Sequence, residues 1–152
     1  MRVQDVMTRR VETVDDRASA ELAYESMRVK GIRHLVVKKG SDLVGVLSQR
    51  DLGVAEQGDF RKKHVVSDLM NTHVVTVGPE ASVRQAANLM RGRSIGCLPV
   101  VDESHRNRLV GIVTVTDLLE LLGRGIDRPA PRKRVNLKTR GPRVDPKVKR
   151  MR

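Results

Sequence analysis

Residues Leu43–Asp51 read LVGVLSQRD, and residues Leu109–Asp117 read LVGIVTVTD. In both, an aliphatic run carrying one glycine ends at a hydroxyl residue, Ser48 or Thr114, and an aspartate follows three positions later. A short, β-branched apolar run predicts a buried strand. The hydroxyl stands where a helix begins, and Ser/Thr-x-x-Asp is a capping box with Asp in the place of Glu. One copy says only that a strand runs into a helix. Two copies organise the chain.

Around this stretch the sequence repeats. VQDVMTRRVETV (Val3 to Val14) lies over VSDLMNTHVVTV (Val66 to Val77), ASAELAYESMR (Ala18 to Arg28) over ASVRQAANLMR (Ala81 to Arg91), and GIRHLVV (Gly31 to Val37) over SIGCLPV (Ser94 to Val100). Each half predicts a lead-in ending in Met7 or Met70, then a brief strand at Val11–Val14 or Val74–Val77. A helix follows, capped near Ser19 or Ser82, with Ala23 and Met27, or Ala86 and Met90, on its buried stripe. Two adjacent strands come next, Arg33–Lys38 with Leu43–Ser48 and Leu98–Val101 with Leu109–Thr114. A last helix starts at each Ser/Thr. This is an α+β fold of two βαββα units. Each is too small to bury a good core alone, so the two should pack about a pseudo-twofold axis. The expected divisions are residues 1–57, a linker at 58–65, residues 66–123, and a basic segment at 124–152.

The charge is unevenly placed. The chain carries +12 overall, but up to Gly123 there are 18 Lys/Arg against 16 Asp/Glu, and from Arg124 onward 12 against 2. The body is nearly neutral. The segment 124–152 is rich in cations, Pro and Gly and poor in apolar residues, which predicts an unstructured arm. Such an arm can hold RNA, DNA or an acidic protein face electrostatically, although it has no aromatic side chain to stack on bases. No apolar run approaches the roughly 18 residues of a membrane span, and Met1 to Asp16 has no secretory apolar core. The single cysteine, Cys97, allows no intrachain disulfide and fits a cytoplasmic protein. The histidines have no metal-ligand spacing with Cys97 or the acids. No P-loop, GxGxxG or nucleophile–base pattern is present, so an enzyme is not expected and no cofactor is required.

The duplicated series, VMT followed by a V-x-TV strand, GIRHLVV and LVGVLSQRDL, resembles the cystathionine-β-synthase (CBS) domain, two of which form a CBS pair. The likeness covers about four-fifths of the chain and both copies. It implies two βαββα units packed sheet to sheet and further association into a homodimer. It also implies a regulatory module that binds adenine-containing ligands between the repeats and signals to another protein. AMP, ADP and ATP are the usual ligands, with S-adenosylmethionine or NAD in some members. In an alternative reading the basic arm binds nucleic acid and the pair serves mainly to dimerise.

The chemistry suits the residues. A carboxylate accepts from both hydroxyls of a ribose, and a Ser or Thr three residues earlier donates to a phosphate. The helix start adds unpaired N–H groups. The resemblance implies pockets shared across the pseudo-dyad: Ser48, Arg50 and Asp51 facing Val74, Gly96 and Cys97, and Thr114, Thr116 and Asp117 facing Val11, Arg33 and His34. Thr8, Arg9 and Thr72 would lie near the same clefts. Arg50 gives the first site a permanent cation where the second has Thr116, so the two sites should differ in preference.

Overall fold

The computed structural model describes residues 1–125. The arm expected at 124–152 therefore lies, from residue 126 on, outside the described residues. In chain order the elements are helix α1 (Val3–Val6), strand β1 (Thr13–Asp15), helix α2 (Ala20–Lys30), and strands β2 (His34–Lys39) and β3 (Asp42–Ser48). Two short 3-10 turns come next, Gln49–Leu52 and Ala55–Gln57, and then helices α3 (Gly58–Lys62), α4 (Val66–Leu69) and α5 (Val83–Arg93). Strands β4 (Cys97–Asp102) and β5 (Arg108–Thr114) and helix α6 (Val115–Arg124) complete the described chain. The architecture is α+β, and the duplication seen in the sequence is reproduced in three dimensions.

Ser19 and Ser82 begin the two long helices as expected: their hydroxyls accept from the amides of Glu21 and Gln85. β2 pairs antiparallel with β3, and β4 with β5, and each ladder shifts register at the equivalent place, Val37/Lys38 and Val100/Val101. β1 adds in parallel to β2.

Two elements depart from the sequence reading. The strand expected at Val74–Val77 is reduced to a bridge at Val77, which donates to Pro99 O (3.1 Å) and accepts from Val101 N (2.9 Å). In the first repeat the next rung is Val36 N to Glu12 O at 3.2 Å. Its counterpart would need an N–H at Pro99, and proline has none. The second departure is the helix expected after Ser48. It is only the 3-10 turn Gln49–Leu52, whereas α6 continues for ten residues. Gly53, at φ 75°, turns the chain away where Leu118 and Leu119 carry α6 onward.

The packing crosses the repeats. One core gathers Ala23, Met27, Leu35, Val37, Leu47 and Leu52 from the first repeat, but it also takes Val66 from α4. The other gathers Ala86, Met90, Leu98, Val100 and Val113, and takes Val3 and Met7 from the N-terminal lead-in. Each lead-in therefore covers the sheet of the opposite repeat. Thr8 exchanges hydrogen bonds with Ile112 on β5 (2.8 and 2.9 Å), and Asn71 does the same with Val46 on β3 (3.0 and 2.9 Å). The motif glycines explain the closeness. A Cβ on Gly45 would stand 2.6 Å from Met70 Sδ, and one on Gly111 would stand 2.5 Å from Met7 Sδ. Between the two sheets a third cluster, Val36, Cys97 and Ile112, joins the halves. With so few aromatics, aliphatic and methionine side chains fill most of the two larger cores.

Candidate functional site

Both Ser/Thr-x-x-Asp motifs sit at the exit of a strand, at the end of the sheet. Asp51 Oδ2 accepts from Ser48 N at 2.8 Å and from Ser48 Oγ at 2.9 Å, and the Asp51 amide returns a bond to Ser48 Oγ at 3.3 Å. Asp117 and Thr114 repeat the pattern at 2.9, 3.1 and 3.3 Å. The capping-box reading is thus correct for both. In each repeat the peptide after the hydroxyl also donates back to the segment entering the previous strand: Gln49 N to Arg33 O at 2.8 Å, and Val115 N to Gly96 O at 3.0 Å. These bonds tie each motif to the segment preceding β2 or β4.

His34 brings groups from both repeats together. It pairs with Ser48 across β2 and β3. Its ring lies against Gly96 of the second repeat, where a Cβ would come within 3.3 Å of Nε2. A methyl group there would require the ring to shift by a few tenths of an ångström. Burial lowers the His34 pKa below its ordinary value; the Asp51 carboxylate opposes the shift, and Arg33 and Arg50 reinforce it. Arg33, His34, Arg50, Asp51 and Gly96 thus form one electrostatic neighbourhood. The resemblance implies that Arg33 and His34 lie opposite the second motif; the contacts of His34 in the structure place it beside the first, at Ser48, Arg50 and Asp51.

The remaining site residues differ in exposure and surroundings. Asp51 and Arg50 are exposed, Thr116 is exposed at the start of α6, and Thr114 and Asp117 are half-buried. Cys97 is buried, pairs with Thr114 across β4 and β5, and packs on Val36 and Ile112. Burial pushes its thiol up to about 12, which argues against a nucleophilic role. Val11 packs against the same cluster. Val74 is half-buried in the segment leading to Val77. α6 is long enough for its N-terminal amides to favour an anion. The first motif has only a four-residue turn, and its cation is a side chain, Arg50.

The described residues hold no group of three or more His, Cys, Asp and Glu side chains suited to a metal. In the β4–β5 loop, His105 Nδ1 lies 2.7 Å from Asp102 Oδ2 and 3.0 Å from Ser104 Oγ. One ring nitrogen meets both partners, whereas a catalytic relay uses two; the cluster locks the loop. One residue that the sequence pattern does not single out is Arg61, buried behind the first motif. It is followed by Lys62 and Lys63 in GDFRKKH, and nothing in that run marks one cation as internal.

Compared with known proteins, the CBS domain pattern matches residues 3–53 and again residues 66–124. The chain belongs to the CBS domain family. As a CBS pair it is 33% identical over 132 residues to a CBS domain-containing protein of Dictyostelium discoideum, covering 79% of this chain and 90% of that one. It is 38% identical over 117 residues to an inosine-5′-monophosphate dehydrogenase of Korarchaeum cryptofilum, but spans only 23% of that enzyme's length and 77% of its own. Among solved structures, the CBS domain pair of protein MJ0100, in complex with 5′-methylthioadenosine and S-adenosyl-L-methionine, is similar with a TM-score of 0.71 at 27% identity. That match covers 81% of this chain and 96% of the other. CBSX2 in complex with AMP is similar with a TM-score of 0.69 at 29% identity, covering 84% and 98%. No helix among the described residues is long and apolar enough to cross a membrane.

Proposed function

We propose that this CBS pair is a regulatory sensor that binds adenine nucleotide, of the AMP, ADP or ATP type, in the clefts between its repeats and passes the bound state to a partner protein. The observation that carries the reading is the duplicated hydroxyl–carboxylate junction, with His34, within the field of Arg50 and Asp51 of its own repeat, lying against Gly96 of the other. In the proposed complex the Asp carboxylates accept from the ribose hydroxyls, Ser48 and Thr114 donate to phosphate, and Arg50 and Arg33 supply cation. The walls are Val11, Val74, Gly96 and Cys97, and Thr116 takes Arg50's place in the second cleft. The adenosyl ligands named for the two solved structures support the ligand class. In this reading the nucleotide is sensed and not consumed. Leu22 and Val29 on α2, and Leu119 and Leu122 on α6, are exposed apolar side chains that suit homodimerisation. Cytoplasmic residence fits the single buried thiol.

Titration calorimetry of the full chain with AMP, ADP, ATP, S-adenosylmethionine and NAD tests the proposal. At least one should bind with a dissociation constant below about 1 mM; no heat from any of the five refutes it. A second reading rests on the 12 cations against 2 acids from Arg124 onward, which suit a polyanion. Filter binding to duplex and single-stranded nucleic acid at two salt concentrations, with and without residues 126–152, decides whether that segment binds nucleic acid.

A further inference from the structure

The two motifs lead into different structures. After Thr114, α6 continues for ten residues, and its own hydrogen-bond ladder keeps Asp117 in place. After Ser48, the turn Gln49–Leu52 stops at Gly53 and a second short turn, Ala55–Gln57, follows; Gln57 N donates to Val54 O at 3.0 Å, and the carbonyls of Leu52, Val54 and Ala55 lie where the two turns meet. Arg61, on α3, meets them. Its Nη1 donates to Leu52 O at 3.2 Å and Val54 O at 2.6 Å, and its Nη2 donates to Ala55 O at 3.2 Å. Nε donates to Glu21 Oε2 at 2.6 Å, and the guanidinium carbon lies 3.7 Å from the centre of the Tyr24 ring. Arg61 is 1% exposed, the only buried charged residue among those described. A buried cation is tolerated when it is paired and its donors are used, and here every nitrogen has a partner.

The chain around it is wrapped closely. Val54 N donates to Gln57 Oε1 at 3.1 Å, and a side chain on Gly53 would collide with Gln57. The fork therefore joins three pieces: the turn that carries Arg50 and Asp51, the linker between the repeats, and α2 through Glu21 and Tyr24.

We propose that Arg61 is a positioning residue for the first nucleotide site: it holds the Gln49–Leu52 turn, and with it Arg50 and Asp51, in the geometry that receives ribose and phosphate. This rests on the nucleotide reading of the clefts. It also makes the first site responsive to the linker, while the second site, held by α6, is independent of it.

The test uses the full chain with AMP and ATP as probes. Asp117→Ala leaves the first site to be read, and Asp51→Ala leaves the second. Arg61→Lys keeps the charge and loses the fork. In the Asp117→Ala background it should weaken nucleotide binding about tenfold, the scale of one hydrogen bond to a charged group. In the Asp51→Ala background it should change nothing. Amide exchange at Gln49–Gly53 should quicken while α5 stays protected. If Arg61→Lys melts the whole chain, Glu21→Gln keeps the carbonyl bonds and should weaken the first site alone by about threefold. Unchanged affinity at the first site overturns the proposal, and so does equal weakening at both, which would mark a general structural role. Absence of AMP and ATP binding in the Asp117→Ala chain, with Arg61 intact, removes the first site itself and the role of Arg61 with it.

Discussion

Gly111→Ala probes the crossing of the lead-ins directly. A methyl group there would stand 2.5 Å from Met7 Sδ, 3.0 Å from Met7 Cγ and 3.1 Å from the Thr8 carbonyl. Carbon and sulfur need roughly 3.5 Å or more, so the thioether must move by about 1 Å. Met7 is 2% exposed, and it has little room to move. The carbonyl is pinned by the bond from Ile112 N at 2.9 Å. Overpacking of this kind costs about 1–3 kcal/mol. Met7→Ala alone should cost about 2–5 kcal/mol through the cavity it leaves. The informative quantity is the coupling, measured by urea unfolding of the two single variants and the double variant. With Met7 removed, the new methyl fills part of the vacated space, so the double variant should be more stable than the sum of the singles by about 1 kcal/mol or more. Gly111→Ala with Met70→Ala serves as the control. If each lead-in packed on its own repeat, Met70 would be the partner of Gly111, and that pair would couple. Additivity within about 0.5 kcal/mol for Met7–Gly111, or coupling for Met70–Gly111, would refute the crossed packing.

Other consequences are equally open to measurement. Asp51→Ala and Asp117→Ala should each weaken nucleotide binding at their own site by about 1.5–3 kcal/mol in calorimetry, as loss of a charged acceptor implies. Each should cost only about 1 kcal/mol of stability, since the lost structural role is a cap; global unfolding of either variant would contradict this. His34 has a folded pKa below its unfolded value of about 6.5, so it binds fewer protons folded than unfolded. Its contribution is fully present above about pH 6.5 and is lost as pH falls through the lowered folded value. Melting temperature should therefore drop more steeply on the acid side of about pH 6.5 in the wild type than in His34→Gln, and parallel curves would dismiss His34 as a source of that slope. Cys97, buried and with its thiol pushed up to about 12, should react with a thiol-specific disulfide reagent at about pH 8 only as the protein unfolds. Rapid modification of the native chain would show the thiol to be accessible.

Much of the fold is legible in the sequence because the repeat multiplies weak local signals. A single Ser48-x-x-Asp51 is a cap; its recurrence at Thr114 and Asp117, with Met7 and Met70, Met27 and Met90, and Gly45 and Gly111 in step, defines a duplicated unit. Two departures are written in the sequence as well. Pro99 stands where Val36 donates to Glu12, and its missing N–H removes the next rung of the strand ending at Val77. Gly53 stands where α6 has a leucine, and it ends the turn after Ser48. Both are local rules about backbone donors and dihedral angles, which is why a residue letter suffices to state them.

Other features are decided only by tertiary structure. Arg61 lies in a run of exposed cations, and only the folded linker turns it inward onto Leu52, Val54 and Ala55. His34 belongs to one repeat's pattern, yet its surroundings come from both, because Gly96 leaves room for the ring. The crossing of the lead-ins is the clearest case. The amino-acid sequence places a methionine at the end of each lead-in and a glycine on each motif strand. It does not determine which methionine covers which glycine, because the two halves carry the same residues at the same spacing. Met7 on Gly45 would make the same kind of local contact as Met7 on Gly111, so hydrophobic pattern, propensity and spacing are indifferent between them. The three-dimensional path of the chain breaks that tie, placing α1 on the second core and α4 on the first. That exchange joins two small units into one protein.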